Sequence, residues 1–462
     1  MTAKQLLQRL QTGGHTFLDC RFMDFPGRWQ HATYPTASLS AGKLERGFGF
    51  DGSLLQHWRA INEGDMLLVP DPRTARADPF AAHPTLSVIC DLKDPVTRKT
   101  YSRDPRSIAR RAEAHLRDSG VADTAYFAPE MEFYVFDSVH FDQRMNGAAW
   151  GVESAEGIWG SGSPGDGHRI RPREGAFPLP PQDTLHDLRS EITTLLAGMG
   201  IATSCHHHEA ATGGQVEIDL QHEGLLEMAD KMLFVKQTAR RAALAAGRTV
   251  TFMPRPLFGE NGSGMHTHFS LWKDDRPLFA GNRYAGLSQT GLHAMGGLLR
   301  HSAALMAFTN PTTNSYKRLT PGNEAPVFKM YASLNREASI RVPRYGTDPA
   351  ATRLELRCPD CTANPYLALA ALTMAAIDGI VNQIDPGDPI DVPPQDNHGL
   401  VPLPATLGAA LIALEHDHDF LTAGGVFPRD LIHHWIRYKR ETEIQPLRQR
   451  PHPHEFSMYF DA

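Results

Sequence analysis

The stretch Pro129-Glu130-Met131-Glu132-Phe133-Tyr134-Val135-Phe136 constrains this chain more than any other. As a strand of period two it turns Glu130, Glu132 and Tyr134 to one face and Met131, Phe133 and Val135 to the other. The apolar face can seal a core. The polar face carries two carboxylates about 7 Å apart by strand rise, which is costly unless a cation sits between them. Three later stretches repeat the design: Gln215, Glu217 and Asp219 oppose Val216, Ile218 and Leu220; His266, His268 and Ser270 alternate with Thr267 and Phe269; Arg353, Glu355 and Arg357 alternate with Leu354 and Leu356. Strands with polar inner faces line a cavity rather than a dry core.

The chemistry of that cavity follows from its donors. Glu130, Glu132, Glu209, Glu217, Glu355 and His266 form a carboxylate-dominated set with one imidazole and no thiolate, which suits Mg²⁺ or Mn²⁺ better than structural zinc. The set exceeds what one ion needs. Two ions sharing it is the economical reading, and paired ions commonly serve phosphoryl transfer from ATP. Arg318, Arg336, Arg341, Arg353 and Arg357 supply the complement, with Ser339 and Arg341 alternating against Ile340 and Val342 on a further strand. Guanidinium forks match phosphate and carboxylate oxygens.

The rest of the chain sets the frame. Its 462 residues suggest two to four domains, and a net charge of −6 calls for neither nucleic acid nor a membrane surface. The N-terminus does not read as a signal peptide, and the longest apolar run, Tyr366 to Ala376, is too short to span a bilayer. Five cysteines, few and odd in number, fit a reducing cytoplasm, with the lone pair Cys358-Pro359-Asp360-Cys361 read as structural. Residues 1–103 mix an N-terminal helix with β-like runs such as Met66–Val69 and Leu86–Cys90, a small β-rich domain. Asp51, in the glycine- and aromatic-rich run Gly47 to Trp58, reads on its own as a turn aspartate. Asp104-Pro105 is a helix start and opens a larger α+β domain, 104–462, in which helices alternate with strands to the C-terminus. Helices are expected over 183–198, 225–246, 286–308, 364–384 and 406–415. The aperiodic stretch Gly151 to Pro181 reads as a surface excursion able to cover a site, and Pro386 to Pro404 is similar.

These motifs resemble bacterial type I glutamine synthetase over nearly the whole chain. The matching blocks include Phe50-Asp51-Gly52-Ser53, Asp104-Pro105-Arg106-Ser107, Pro129-Glu130-Met131-Glu132-Phe133, His206-His207-His208-Glu209 and Asn261-Gly262-Ser263-Gly264-Met265-His266. They continue through Asn310 to Arg318, Asn335-Arg336 and Asn364-Pro365-Tyr366. The resemblance implies a β-grasp-like N-terminal domain and a catalytic domain whose antiparallel sheet forms the active-site cavity. It implies Glu132, Glu209 and Glu217 as ligands of one metal, and Glu130, His266 and Glu355 as ligands of the metal bound with ATP. Arg318 and Arg357, with Asn261 and Gly262, match the groups that hold glutamate. Arg336 and Arg341 match phosphate-facing arginines, and His268, Ser270 and Arg353 match nucleotide contacts. Glu324 matches the flap glutamate that closes the site. Asp51 matches the aspartate, donated by a neighbouring subunit, that deprotonates ammonium, and a dodecamer of two hexameric rings follows from that shared site.

Departures from the family gather on the amine side. Leu54 replaces a second serine, Ala176 a tyrosine before Phe177-Pro178-Leu179-Pro180-Pro181, Asn323 a tyrosine, and Glu337 a serine. A larger, greasier ammonium pocket would favour a bulkier primary amine, since apolar area contributes about 25 cal/mol per Å². The expectation is therefore a γ-glutamyl amide ligase, with ordinary glutamine synthetase as the alternative and an inactive scaffold as a distant one. Ile390 stands where many relatives have an adenylylated tyrosine, so that switch is expected to be absent.

Overall fold

The computed structural model describes residues 1–55, 64–159, 167–322, 324–394 and 399–462. A first helix, Ala3–Thr12, starts at a capping box in which Thr2 and Gln5 satisfy each other's backbone N–H groups. It buries Leu6 and Leu10 in one core with Leu18, Cys20, Val88 and Cys90 of the strands that follow. Those strands are β1 (Phe17–Met23), β2 (Trp29–Pro35), β3 (Phe48–Asp51), β4 (Asp65–Pro70), β5 (Arg76–Ala77) and β6 (Thr85–Lys93). They order as β2-β1-β6-β4-β3, with β5 added to β6. β1 and β6 run parallel while the other pairs are antiparallel, the mixed sheet of a β-grasp.

The Asp104-Pro105 start holds: helix Pro105–Asp118 is capped by the Asp104 side chain and buries Ile108, Ala112 and Leu116. Its first turn also stitches the two parts of the chain together. The buried Arg106 guanidinium bonds Asp71 (3.0 Å), just past β4, Asp91 (2.6 Å) of β6 and Asp230 (2.8 Å) from helix Leu225–Ala245.

The second sheet positions the site. Its strands are drawn from β7 (Thr124–Phe136), the exposed hairpin pair β8 (Ser138–Arg144) and β9 (Gly147–Glu153) standing apart, then β10 (Thr203–His208), β11 (Gln215–Leu220), β12 (Glu223–Gly224), β13 (Thr249–Thr251), β14 (Met265–Lys273), β15 (Arg276–Pro277), β16 (Tyr331–Ala332), β17 (Ile340–Arg341) and β18 (Leu354–Leu356). The path is β10-β11-β7-β14-β18-β17-β16, so the expected polar-faced strands lie side by side as β11-β7-β14-β18. Register then does the chemistry's work: Glu132 sits opposite Glu217, His266 opposite Glu130, and Glu355 opposite both His268 and Arg341.

Helices differ from expectation in instructive ways. The helix expected over 183–198 begins at His186, not Asp183, because the Asp183 carboxylate takes the Arg189 guanidinium (2.9 and 2.6 Å) and the Leu185 N–H. The expected helix over 286–308 is two, Gln289–Arg300 and Ser302–Thr309, meeting at His301, whose ring nitrogens bond Asp378 (2.9 Å) and Asp417 (2.8 Å). Helix Pro365–Val381 crosses the first of these so closely that a Cβ on Gly297 would lie 2.1 Å from the Ala375 carbonyl. After β18 no further strand follows among the described residues, so the alternation of helix and strand stops there; helices Leu407–His416 and Arg429–Lys439 complete that layer. None of the described helices is long and apolar enough to cross a membrane.

Candidate active site

The polar faces enclose a cavity of about 870 Å³. All of the sequence-nominated metal candidates line it, as do Arg336, Arg341, Arg353, Arg357, His268, Ser270, Asn261, Glu324 and Ala176. No described residue before Tyr126 does.

Glu130, His266 and Glu355 each bring a donor atom within 4.8 Å of the others. The His266 ring lies between the two strand carboxylates: Nδ1 is 3.0 Å from Glu130 and Nε2 is 3.7 Å from Glu132. His268 Nε2 lies 2.7 Å from the other Glu130 oxygen. Burial opposes the charge on Glu130, but the hydrogen bonds from both imidazoles outweigh it and hold the carboxyl well below its usual range. Glu355 behaves alike, with burial outweighed by Arg357 and the imidazoles. It accepts from Arg341 Nε at 2.9 Å and from Arg357 Nη1 at 2.5 Å.

The second group differs from the expected one. Donors of His207, Glu209 and Glu217 converge within 4.8 Å, with His207 at 3.4 Å from Glu209 and 3.3 Å from Glu217. Glu132, expected here, is close by but has one oxygen occupied by the Gly264 N–H (2.8 Å) and the Gln215 amide (3.2 Å). Burial, then the neighbouring Glu132, pushes Glu209 up to about 8, and the same causes raise Glu217 well above the usual carboxylate range. Such a crowd of buried acids fits a divalent cation, which would reverse both effects. Glu130, Glu217 and Asp219 form a further group of converging donors. His207 and Asp219 were not singled out from sequence as ligands, although the alternation of β11 already put Asp219 on the polar face. His207 needed the β10–β11 register, which sets it opposite Glu217.

The remaining candidates divide. Arg353 Nε lies 3.1 Å from His268 Nδ1, and Ser270 Oγ accepts the Trp272 indole N–H at 3.1 Å. Arg341 also donates to the Tyr345 hydroxyl at 2.6 Å, a wall residue that the sequence did not flag. Glu324 takes a positive φ of 58° and approaches Arg357 at 3.6 Å; the Asn323 departure beside it lies outside the described residues. Gly262 must be glycine, since a Cβ would sit 2.4 Å from the Pro254 carbonyl. Arg318 is not brought to the cavity wall. It is buried behind the Gly262–Gly264 loop, donating to the carbonyls of Cys358 (2.8 Å) and Arg357 (3.0 Å). Asp51 and Leu54 are also absent from the wall: Asp51 is exposed at the end of β3 and accepts from Ser53, which lowers its pKa, and Leu54 is 79% exposed. From the 151–181 excursion, whose residues 160–166 are outside the described set, Phe177 reaches the wall and packs on His207 with ring centres 4.7 Å apart. The cysteine pair holds free thiols, with Cys361 Sγ 3.7 Å from the Gly264 carbonyl.

Comparison with known families decides the frame. The model of the glutamine synthetase catalytic domain matches residues 102–459, and that of the glutamine synthetase beta-Grasp domain matches residues 14–95. The chain belongs to the glutamine synthetase family. It is 50% identical over 465 residues to the glutamine synthetase of Aquifex aeolicus, covering 100% of this chain and 99% of that protein. It is 48% identical over 474 residues to the glutamine synthetase of Mycolicibacterium smegmatis, covering 100% and 99%. Among solved structures, a cryoEM structure of Plasmodium falciparum glutamine synthetase aligns with a TM-score of 0.92 at 26% identity, covering 99% of each chain. As a glutamine synthetase family member the chain is an ATP-dependent ligase joining glutamate to ammonia or an amine. Family membership also implies divalent metals.

Proposed function

We propose that this chain is a glutamine synthetase in the ordinary sense, with ammonia as its amine. The observation that carries the reading is full-length identity of 48–50% to proteins named glutamine synthetase, together with two converging donor groups on one cavity wall. The bulkier amine expected from Leu54 and Ala176 gives way. The full-length identity to proteins named glutamine synthetase outweighs those two departures, and Leu54, like Asp51, does not border the cavity of its own chain and could bear only on a neighbouring copy's. An inactive scaffold is disfavoured because burying so many acids costs stability with no return unless a cation is bound.

In this reading Glu130, His266 and Glu355 hold one Mg²⁺ or Mn²⁺, and Glu209 and Glu217 hold another with Glu132 or His207 beside them. The ions, when bound, offset negative charge on the phosphates. The γ-carboxylate of glutamate attacks the γ-phosphorus of ATP, ADP leaves, and γ-glutamyl phosphate forms. Arg336 and Arg341 stabilise the equatorial oxygens, and His268, Ser270 and Arg353 hold the nucleotide. Arg357 and the Asn261–Gly262 loop hold glutamate, with Arg318 fixing that loop from behind. Ammonia then displaces phosphate, while Asp51 of a neighbouring copy takes the ammonium proton and Glu324 keeps water out. We take the domains as 1–103 and 104–462, the assembly as a dodecamer of two hexameric rings and the location as cytoplasmic; Ile390 offers no hydroxyl for adenylylation. Phosphate release with ATP, glutamate and a panel of amines tests the reading. Ammonia should give the highest kcat/KM, and an alkyl, hydroxyalkyl, polyamine or aromatic amine surpassing it would overturn the choice.

A further inference from the structure

Gln215 opens β11 on the face it shares with Glu217 and Asp219 and is fully buried, yet no step above uses it. Its side-chain amide touches three parts of the site. Nε2 donates toward Glu132 Oε2 (3.2 Å), the Gly262 carbonyl (3.2 Å) and Ser263 Oγ (3.3 Å), while Oε1 accepts the Ala211 N–H (3.3 Å). Its main-chain carbonyl accepts the Glu209 N–H at 2.8 Å. With the Gly264 N–H also on Glu132 Oε2 at 2.8 Å, that oxygen is filled, and Oε1, 3.7 Å from His266 Nε2, is left free of these donors. A neutral amide fixes the carboxylate without neutralising it, whereas a lysine or arginine would compete with a bound cation for its charge.

The loop on the other side of this amide has no slack. A Cβ on Gly262 would come 2.7 Å from Arg318 Cγ, and one on Gly264 would come 2.5 Å from Arg318 Nη2. A shift of the loop therefore displaces what binds against it. We propose that Gln215 is a positioning residue that couples the metal-side carboxylates Glu132 and Glu209 to the glutamate-side loop from Asn261 to Gly264, so that metal and glutamate affinities are set together. This inference rests on the metal-dependent reading of the site.

The test uses the full-length enzyme and two readouts: Mn²⁺ binding without substrates, followed by the electron paramagnetic resonance signal of free Mn²⁺, and initial rates against Mg²⁺, glutamate and ATP. Failure of the wild type to bind Mn²⁺ would sink the metal reading itself, whatever Gln215 does. Gln215→Met keeps the length and removes the amide. It should weaken Mn²⁺ binding by about 10- to 100-fold and raise KM for glutamate by about tenfold, with KM for ATP within about twofold of wild type. Gln215→Asn retains an amide that is one methylene short and should fall between; it decides by the same criteria if the methionine variant does not fold. Wild-type Mn²⁺ affinity in either folded variant, a fall in kcat alone, or equal rises in KM for ATP and glutamate would overturn the proposal.

Discussion

Glu355→Gln is the sharpest probe of the metal groups because the substitution keeps shape and removes charge. The native carboxylate is 2% exposed and accepts from Arg341 Nε at 2.9 Å and Arg357 Nη1 at 2.5 Å. Guanidinium groups only donate, so the new amide nitrogen must face at least one of them donor to donor. Breaking a buried pair in this way costs about 3–5 kcal/mol, part of it visible as a lower Tm. The metal-specific consequence is separable. A ligand present at 100 times its Kd stabilises by about 2.7 kcal/mol, whereas a 100-fold weaker site at the same Mg²⁺ concentration gains only about 0.4 kcal/mol. Thermal melting of wild type and Glu355→Gln with and without Mg²⁺, read beside phosphate release over a Mg²⁺ titration, therefore distinguishes lost packing from lost metal. The metal-induced rise in Tm should shrink in the variant to the part owed to the ion at Glu209 and Glu217, and its rate should not saturate where the wild type does. An unchanged metal-induced rise with an unchanged half-saturating concentration would refute the assignment of Glu355 as a ligand.

Further expectations are as direct. Excess chelator should abolish phosphate release, and restored turnover should need Mg²⁺ or Mn²⁺; full activity without either would end the metal reading. Mixed oligomers of Asp51→Ala and Glu355→Ala chains should recover part of the activity that each lacks alone, since no described residue before Tyr126 lines the cavity of its own chain; demonstrably mixed oligomers with no recovery would count against a shared site. Asp104 is buried, has no partner for Oδ2, and is pushed up to about 7 by burial and then by Asp91. The folded state thus holds a proton that the unfolded state releases near pH 4. The contribution of this group to stability is greatest below that value and falls by up to about 4 kcal/mol as pH rises to 7. Asp104→Asn should flatten this decline in Tm measured over pH 5 to 8, and an unchanged slope would refute the assignment.

The four site-bearing strands were legible because their signal is local: charge and imidazole at every second position, apolar side chains between. What period two cannot carry is register. Nothing in Gln215 to Leu220 says that Glu217 will stand opposite His207 on one side and Glu132 on the other, and that pairing decides which donors converge. β16 and β17 are two residues each, too short for alternation to be counted. The break at His301 was hidden for the opposite reason: its helical pattern is locally sound, and the interruption comes with carboxylates 77 and 116 positions away. Arg318 shows the limit for single residues. Its motif was readable, but the one-turn helix Ser315–Arg318 aims the guanidinium at main-chain carbonyls, a direction set by tertiary packing.

The amine side shows why a residue type cannot be converted into pocket volume without knowing where the side chain points. Leu54 is 79% exposed and only Ala176 borders the cavity of its own chain, so the two departures meet in one pocket only where a neighbouring copy brings Leu54. Any effect of Leu54 must act on another copy of the chain. At the Ala176 wall the adjacent Phe177 ring packs at a tilt against His207, ring centres 4.7 Å apart, so one aromatic ring remains there although the tyrosine is gone. With Glu209 and Glu217 assigned to a metal ion, Glu324 is a further carboxylate on the wall of the same cavity and leaves that wall acidic for a small cation. Ammonium is recognised by charge and hydrogen bonds, whereas a bulkier amine would need apolar wall to offset the desolvation of its own head group. Restoring Leu54→Ser with Ala176→Tyr should therefore leave ammonia the preferred amine and change its kcat/KM by less than about tenfold, about 1.4 kcal/mol. Reversal of amine preference in that double variant would mean that these side chains, not the acidic wall, set the specificity.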